Sequence, residues 1–467
     1  MKTSEPGRNY TLEVGKFVEE TTFKDLPKPV VERAKFAILD ALGISIGAYG
    51  TRHQLVRALI DMTPEVSATE GSTIVGAGKR TSCLDAAMAN GVLMNFLDFS
   101  DGHYAGGHIN DRVVPAALSL AEHERSSGEQ FITSVALAYE IYIRLAYSLF
   151  KTSESVGKIP YFVVLGPIAS AIASGKLLSL DRTGLAGAIG LATSVQICGA
   201  QYARRGGHEK DLTPGHESRR GVFSALMSQR GVLGSIDMLE GSRGLCKAIT
   251  DQGNLEELTA ELGEQYKLDE CYFKPYPACR YLHSSIEAAL GISHEHPLDP
   301  KAIRQVTIRT NSHSATRSNK EILSHVSAIF SHEYQTVSAL LHKKPLLPTR
   351  WNENMQNPLF VNVLQKTQVE IDPNFNEQYQ RRFEGGATWP STVLVDTEGG
   401  GKYESTVLHP KGDPENPLTE GEIIEKFLDM TVPVLGEAAH ELLRAVQDLE
   451  DLDDVRALSQ HLTASRT

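Results

Sequence analysis

The chain has 467 residues, of which 41% are hydrophobic and 22% charged, and its formal net charge is −12. This length exceeds that of one small core, so two domains, or a large domain with another inserted into it, are expected. The composition is that of a soluble globular protein. Because no long basic run offsets the negative charge, a nucleic-acid partner is not expected, although a few local cations can still bind an anionic substrate.

The cysteines and the N-terminus indicate in which cellular compartment the protein is expected. The five cysteines are scattered and odd in number, and no CxxC pair occurs, so neither a zinc knuckle nor a disulfide framework is expected. The N-terminus is polar and lacks an apolar signal core, and the longest weakly polar run, residues 161–175, is short for a membrane span. We expect a protein of the cytoplasm, or of an organelle matrix, without a membrane partner.

Residues 9–265 show the apolar rhythm of successive helices. In LPKPVVERAKFAILDALGISIGA (26–48), apolar residues recur close to every 3.6 positions after a proline suited to a first turn. Further helices are predicted at 84–99, 113–124 and 130–150. Two segments rich in Ala, Gly and Ser, at 166–180 and 183–200, are predicted to be central helices that pack closely.

After about residue 265 the pattern changes. Residues 304–310 and 367–372 alternate apolar with polar side chains, as half-buried strands do, and 391–409 is a hairpin around a Gly-rich turn. Helices are predicted between them at 284–292, 324–344 and 358–366. Strands mixed with helices, without a repeating βαβ unit, favour an α+β domain. Helical patterns return from residue 418, and if they rejoin the first domain, the α+β part is an insertion.

The stretch LDFSDGHYAGGHIND (97–111) concentrates ionisable groups between apolar helices. It holds Asp98, Asp101, Asp111, His103 and His108 together with three glycines. A loop held by a rigid helical scaffold is a common place for catalytic groups. Proton transfer, a divalent metal and a solvated loop remain as interpretations, although the regular ligand spacing of zinc motifs such as HExxH is absent.

The second stretch, YARRGGHEKDLTPGHESRRG (202–221), is cationic in an acidic protein. It carries Arg204, Arg205, Lys210, Arg219 and Arg220. Phosphate-binding glycine motifs are absent, which disfavours a nucleotide. Such a cluster suits recognition of carboxylates, by arginine in two-pronged contacts and by lysine as a point charge. The alternative is a solvated connection between helices.

The third stretch is YFKPYPACRYLHSSIEAAL (272–290). Its prolines predict an extended lead-in that presents Lys274, followed by a helix that begins near residue 278 or 279. Cys279 and His283 would then share one helix face. A helix N-terminus lowers a thiol pKa and can create a nucleophile, whereas the alternative is a buried apolar Cys beside a hydrogen-bonded His.

Together these stretches resemble the MmgE/PrpD family, which includes 2-methylcitrate dehydratase, cis-aconitate decarboxylase and iminodisuccinate epimerase. The resemblance is carried by LDFSDGHYAGGHINDRVVPAALSLAE, EKDLTPGHESRRG, KPYPACRYLH and the late HPKGDPENPLTEGEIIEKF. It extends from LPKPVVERAKFAILDALG through essentially the whole chain. Each motif alone is weak, but the four together are specific.

The resemblance implies a mainly α protein with an α+β part. A large all-helical domain is formed by both chain ends (1–268 and 411–467), with a smaller α+β lid (269–410) inserted. It also implies a homodimer whose active site lies between the domains and acts on small di- or tricarboxylates without a metal or organic cofactor.

The resemblance also assigns residues. Asp98, His108 and Lys210 match active-site positions of the first domain, and Lys274 and His283 match lid positions. Where the family usually has a second histidine, this chain has Pro160 or Tyr161, and Gly102 replaces the usual Thr. The residues predicted to be catalytic are Asp98, His103, His108, Tyr161 and Lys210, and those predicted to bind substrate are Asp101, Arg204, Arg205, Lys274, Cys279 and His283.

The expected chemistry is proton transfer at a carbon next to a carboxylate. We assign Lys210 and Lys274 to the substrate carboxylates and the developing charge, His108 and His103 to acid–base steps, and Asp98 to orientation. The leading hypothesis is a cofactor-independent lyase, a dehydratase or decarboxylase. Alternatives are an epimerase on the same scaffold, a metal-dependent hydrolase, or a non-catalytic carboxylate-binding relative.

Overall fold

The computed structural model describes residues 8–67, 71–150, 162–194, 199–250, 253–384, 386 and 388–463. The helices of the N-terminal part are α1 (Tyr10–Glu20), α2 (Lys28–Gly50), α3 (Gln54–Met62), α4 (Cys83–Asn95), α5 (Asn110–Glu124), α6 (Gly128–Phe150), α7 (Phe162–Leu177), α8 (Arg182–Ala192), α9 (Tyr202–Arg205), α10 (Glu209–Gln229), α11 (Leu245–Ile249) and α12 (Glu256–Thr259). Its short strands are β1 (Ser72–Ile74), β2 (Lys79–Thr81), β3 (Gly102–His103) and β4 (Gly107–His108).

The C-terminal part begins with α13 (His283–Glu295) and continues with β5 (Ile303–Thr310), α14 (Ser312–Ala315), α15 (His325–Ile329), α16 (His332–His342), α17 (Trp351–Gln356), α18 (Pro358–Gln365), β6 (Thr367–Ile371), α19 (Pro373–Gln380), β7 (Ser391–Thr397), β8 (Lys402–Val407), α20 (Glu420–Leu435) and α21 (Ala438–Gln447). The strands β6, β5, β7 and β8 form one sheet in that order, with β5 and β6 parallel and the other pairs antiparallel. The predicted class, mainly α with an α+β part, is confirmed.

The two segments predicted to be close-packed helices are α7 and α8, which do pack against each other, although α8 ends at Ala192 and not near residue 200. Close packing extends to α10. Helix α10 packs against both α7 and α4. A Cβ added at Gly221 of α10 would lie 2.2 Å from the Cβ of Ser170 on α7, and one added at Gly91 of α4 would lie 2.8 Å from the Cα of Gly215. These backbones therefore approach to a distance that only glycine permits. The close approach fixes α10, and with it Lys210, relative to the loop after α4.

The C-terminal helices lie against the N-terminal part. Helix α20 packs along α2, where Phe427 and Met430 fill the space that side chains at Gly43 and Gly47 would occupy. A capping box of Thr419 and Glu422 begins α20. This packing supports the predicted return of the chain to the first domain, although the division at residues 268 and 410 stays a prediction.

Three local features differ from the sequence-based expectations. Residues 9–265 are not purely helical, because β1 pairs with β2 and β3 with β4. The helix predicted over 324–344 is broken into α15 and α16, where Ser331 caps the second helix through its side chain. Of the helices in the described ranges, none has the length and apolar character needed to cross a bilayer.

Candidate active site

The loop after α4 places the first group of the site. The helix predicted to reach Phe99 ends at Asn95, and the Asp98 N–H donates to the Asn95 carbonyl at 2.8 Å. Asp98 has φ of +50°, a left-handed conformation that Asp tolerates better than most residues. The chain turns sharply there, so the Asp98 side chain points inward and is fully buried.

A backbone bridge joins this loop to the Lys274 segment. Gly102 and Tyr272 exchange backbone hydrogen bonds of 3.1 and 2.8 Å. A Cβ at Gly102 would lie 2.5 Å from the Gly107 carbonyl oxygen and 2.6 Å from the Tyr272 hydroxyl. This close approach explains why the chain carries glycine here in place of the usual threonine, and it holds Lys274 opposite Asp98.

Asp98 is the centre of the site. Its carboxylate receives hydrogen bonds from Lys210 on α10 and from Lys274, the latter at 3.2 Å. The Lys274 ammonium also donates to the Asp98 carbonyl at 2.8 Å, and its side chain is completely buried. Three of the predicted site residues are therefore brought together, and two cations share one carboxylate.

The pKa values of these groups are shifted by burial and by the presence of two ammonium groups beside one carboxylate. Burial by itself raises the pKa of Asp98, but Lys210 and Lys274 outweigh it and hold the pKa below its ordinary value. The carboxylate is therefore ionised. Burial lowers the pKa of Lys274 to about 8, against the opposing effect of Asp98, and the neighbouring Lys210 adds to the lowering. Lys274 is thus a cation that loses its proton readily.

His108 is the fourth member of the group. Its Nε2 lies 3.5 Å from an Asp98 carboxylate oxygen, and its Nδ1 lies 3.9 Å from Asp111. Nδ1 is buried and has no hydrogen-bond partner among the described residues. Burial, followed by the charge of Lys274, lowers the pKa of His108 well below its ordinary value, so its imidazole is neutral. A neutral ring with an unused nitrogen is suited to accept a proton.

Sequence reasoning missed a buried ionic network behind His108. Arg112 forms ion pairs with Asp111 and with Glu217 of α10, the latter at 2.6 Å. Burial raises the pKa of Glu217 to about 8 despite Arg112. Glu217 lies within the motif EKDLTPGHESRRG, but nothing in that pattern separates it from exposed charges. This network fixes Asp111, whose carboxylate lies 3.9 Å from the Nδ1 of His108 that has no hydrogen-bond partner among the described residues.

Arg317 is a second residue that the sequence did not reveal. Its guanidinium lies 5.6 Å from the centre of the Phe330 ring, and the Lys210 ammonium lies 5.8 Å from the same centre. The buried Nε of Arg317 has no hydrogen-bond partner within the described ranges. Arg317 and Lys274 both act on the pKa of the Cys279 thiol, so Arg317 is a further cation near the group.

Cys279 lies beside this group, but not on a helix. It precedes the 3₁₀ turn Arg280–Leu282, and α13 begins only at His283, so the predicted helix start and the shared face of Cys279 and His283 are wrong. Burial raises the pKa of the Cys279 thiol, the opposite of the predicted lowering. The thiol form is favoured, which agrees with the alternative of a buried cysteine.

His103 belongs to a different cluster. Its Nδ1 accepts from the Ala105 N–H at 3.1 Å, and its Nε2 lies 3.4 Å from Glu270. Glu270 also accepts from the Tyr147 hydroxyl at 2.6 Å. The β3–β4 turn separates the two histidines, so the structure does not bring His103 to Asp98.

Three other predicted residues have partners elsewhere, and Arg204 is exposed. The carboxylate of Asp101 accepts from the Asn110 N–H at 2.9 Å and from the Tyr139 hydroxyl at 2.7 Å. His283 accepts from Arg280 at Nδ1 and donates from Nε2 to the Ala278 carbonyl. Arg204 and Arg205 are exposed, and Arg205 pairs with Glu321 at the surface. Tyr161 and Pro160 lie outside the described residues.

The comparisons with known proteins cover nearly the whole chain. The MmgE/PrpD N-terminal domain matches residues 13–258, and the MmgE/PrpD C-terminal domain matches residues 276–451. The chain is 25% identical to a cis-aconitate decarboxylase of Aspergillus terreus, over 97% of this chain and 95% of the relative. It is 24% identical to the cis-aconitate decarboxylase of Homo sapiens, over 92% and 89% of the two chains.

A relative of another activity matches as well. An alkylcitrate dehydratase of a fungal species (strain ATCC 74256) is 26% identical over 85% of this chain and 82% of the relative. Asp98, His108 and Lys210 lie within the first matched region, and Lys274 lies two residues before the second. Both domain matches and the full-length relatives agree: the chain belongs to the MmgE/PrpD family.

Proposed function

We propose that the protein is a cofactor-independent lyase that acts on a small tricarboxylate by proton transfer next to a carboxylate. The observation that carries the proposal is the buried group in which Lys210 and Lys274 share Asp98 and His108 presents a neutral imidazole. Relatives named as cis-aconitate decarboxylases and as an alkylcitrate dehydratase support a substrate of this class.

The charges of the site suit a polyanion. Lys210, Lys274 and Arg317 outnumber the single carboxylate of Asp98, so the pocket carries an excess of positive charge that substrate carboxylates neutralise. The side chains of Asp98 and Lys274 have no exposed area, whereas those of His108 and Lys210 are 16% and 7% exposed. The substrate therefore enters on the side of these two residues.

His108 is assigned as the acid–base group. In the free protein the two lysines help to hold its pKa low. A bound polycarboxylate neutralises those lysines, so binding raises the pKa of His108 toward the range in which an imidazole transfers protons efficiently. The lysines then stabilise the negative charge that develops at the substrate carboxylate. Substrate binding itself thus prepares the base.

Two balanced outcomes share this arrangement. In a dehydration, His108 takes the proton from the carbon next to the carboxylate and the C–O bond of the neighbouring carbon breaks. The protonated His108 then gives its proton to the departing hydroxide, so water and an alkene form. In a decarboxylation, the C–C bond to the carboxylate breaks, CO₂ leaves, and the protonated His108 delivers one proton to the carbanion. Both need the cations at the carboxylates and the imidazole at the reacting carbon.

The test is an NMR screen in deuterium oxide with cis-aconitate and with 2-alkylcitrates. Loss of CO₂ from the first, with one deuterium incorporated into the product at the reacting carbon, or loss of water from the second is the expected result. The variant Arg317→Lys is expected to raise KM more than it lowers kcat, since it keeps one charge but loses the two-pronged contact. Arg205→Lys is the matched control at the surface.

The alternatives predict different spectra. Epimerisation exchanges the substrate proton for deuterium and yields a diastereomer without an alkene or CO₂, while a binding protein gives neither exchange nor product. Either result would overturn the lyase proposal. A homodimer and a location in the cytoplasm or an organelle matrix stay predictions.

A further inference from the structure

A second histidine cluster lies beside the active site, where the C-terminal part meets α10. His208 is the residue before α10, Asp211 lies in its first turn, and His325 is the first residue of α15. The ring of His53, which precedes α3, lies 4.8 Å from that of His325 and 5.8 Å from that of His208. Three imidazoles from distant parts of the chain therefore surround one carboxylate.

The distances within the cluster suit a shared ion. One carboxylate oxygen of Asp211 lies 2.9 Å from Nδ1 of His208 and 3.3 Å from Nε2 of His325. The ligand atoms of the three residues all lie within 4.8 Å of one another. In a tetrahedral site with bonds of about 2.0 to 2.1 Å, neighbouring ligand atoms are separated by roughly 3.3 Å.

Two buried atoms point to a missing partner. Nε2 of His325 and the second carboxylate oxygen of Asp211 are buried without a satisfactory hydrogen bond among the described residues. The His325 side chain is only 1% exposed. Leaving such atoms unsatisfied costs about 1 to 3 kcal/mol each, so an ion that coordinates them would stabilise the fold.

We propose that His208, Asp211 and His325 bind one transition-metal ion of the zinc class, with His53 or water as a further ligand. Two imidazole nitrogens and a carboxylate oxygen form a ligand set typical of zinc. The proposal goes beyond the proposed function and does not depend on it, since Asp98 and its lysines are not ligands.

His53 offers a further nitrogen to the cluster. Its Nδ1 accepts from the Leu55 N–H at 3.2 Å, so Nε2 is the nitrogen that would bind an ion. Neutral imidazole and ionised carboxylate are the forms that bind metal.

The position of the ion indicates its role. Lys210 lies between His208 and Asp211 at the start of α10, and α15 leads directly to Phe330, whose ring is close to both Lys210 and Arg317. An ion that joins His208 to His325 thus fixes the C-terminal segment against α10 at the edge of the active site. Its role is to hold the closed arrangement of the site.

The experiment titrates the chelator-treated full-length protein with Zn²⁺ against a chromophoric competitor, and with Co²⁺ by visible absorption. One Zn²⁺ per chain and a tetrahedral Co²⁺ spectrum are expected. His325→Ala and His208→Asn should each weaken Zn²⁺ binding by at least about 100-fold, the upper range for loss of a supporting residue. His440→Ala, an exposed histidine of α21, should bind like the wild type.

The His208 side chain is 42% exposed, so this variant keeps the proposal testable if His325→Ala does not fold. No saturable Zn²⁺ binding by the wild type would overturn the proposal. Equal binding by the wild type and His208→Asn would do the same, and loss of that binding in His409→Ala would assign the ion to the other candidate group, His409, Asp413 and Glu415. Because no substrate is added, these outcomes are independent of the proposed lyase activity.

Discussion

Asp98 and Asp101 lie three residues apart in one loop and are both fully buried, yet their surroundings are opposite. Asp98 is held ionised by two lysines. Burial and then the charge of Asp40 raise the pKa of Asp101 to about 7. We therefore expect the same change, Asp to Asn, to destabilise the protein at position 98 and to stabilise it at position 101 above neutral pH.

The magnitude for Asp101 follows from linkage. Its pKa is raised from 3.8 to about 7, which at about 1.4 kcal/mol per unit corresponds to about 4 kcal/mol. Because the folded pKa lies above the unfolded value, this contribution to stability is present below pH 4 and is lost as the pH rises to 7. Asn does not ionise, and it can accept from the Asn110 N–H and donate to the Tyr139 oxygen.

For Asp98→Asn the expected loss is about 3 to 5 kcal/mol, the usual cost of removing one partner from a buried ion pair. Lys274, which has no exposed area, then lacks its counter-charge, and its pKa falls further below its ordinary value. Turnover should be lost in this variant. It should persist in Asp101→Asn, whose carboxylate contacts only structural groups.

The assay is denaturant unfolding of the wild type and both variants between pH 5 and pH 8.5. The stability of Asp101→Asn relative to wild type should rise by about 1.4 kcal/mol per pH unit up to pH 7 and then level off. A difference that is constant with pH, or that falls as the pH rises, would refute the reasoning. Comparable losses in both variants would show that the two carboxylates are not in different electrostatic environments.

Three further predictions concern the site. His108→Ala should abolish turnover with little change in melting temperature, since Nδ1 has no hydrogen-bond partner among the described residues; full activity would contradict its role. The value of kcat/KM should fall as the pH rises through about 8, because Lys274 loses the charge that binds a carboxylate. Lys274→Arg should move this decline to higher pH, and a wild-type kcat/KM that does not change with pH would contradict the prediction. Gly102→Thr should lower stability by about 1 to 3 kcal/mol and reduce kcat, since its side chain meets Gly107 and Tyr272; wild-type unfolding and kinetics would argue against a required close approach.

Helices and strands in which apolar residues recur at a regular spacing were predictable from the sequence. Helix α2 has a continuous apolar face, and the β7–β8 hairpin combines alternation with a Gly-rich turn. The end of α4 was misplaced because Phe96 and Leu97 continue its apolar pattern into the loop. The β3–β4 pair was missed because strands of two residues have no measurable period.

The site was predictable only where its residues belong to motifs. Asp98, His108, Lys210 and Lys274 were found in this way and lie together. Arg317 stands in a polar stretch, HSATRSNK, whose composition is that of a surface loop. Its position beside Cys279 and Phe330 depends on contacts between distant segments, and such contacts have no signature in a single sequence.

The assignments of His103 and His108 show the same limit. The two histidines are five residues apart, and each has a glycine directly before it. One lies against Glu270, and the other lies against Asp98. The pairing of β3 with β4, in which Gly102 lies opposite His108, is what gives the rings of His103 and His108 different partners.

The Gly102–Tyr272 bridge has a consequence for folding. It joins segments so far apart that Lys274 reaches Asp98 across 176 residues of chain. Contacts of such separation form late, because a long loop has to close before they stabilise anything. During refolding, helical structure should therefore appear well before a competent site. The N-terminal part alone would hold Asp98, His108 and Lys210 without Lys274, the second cation of the site.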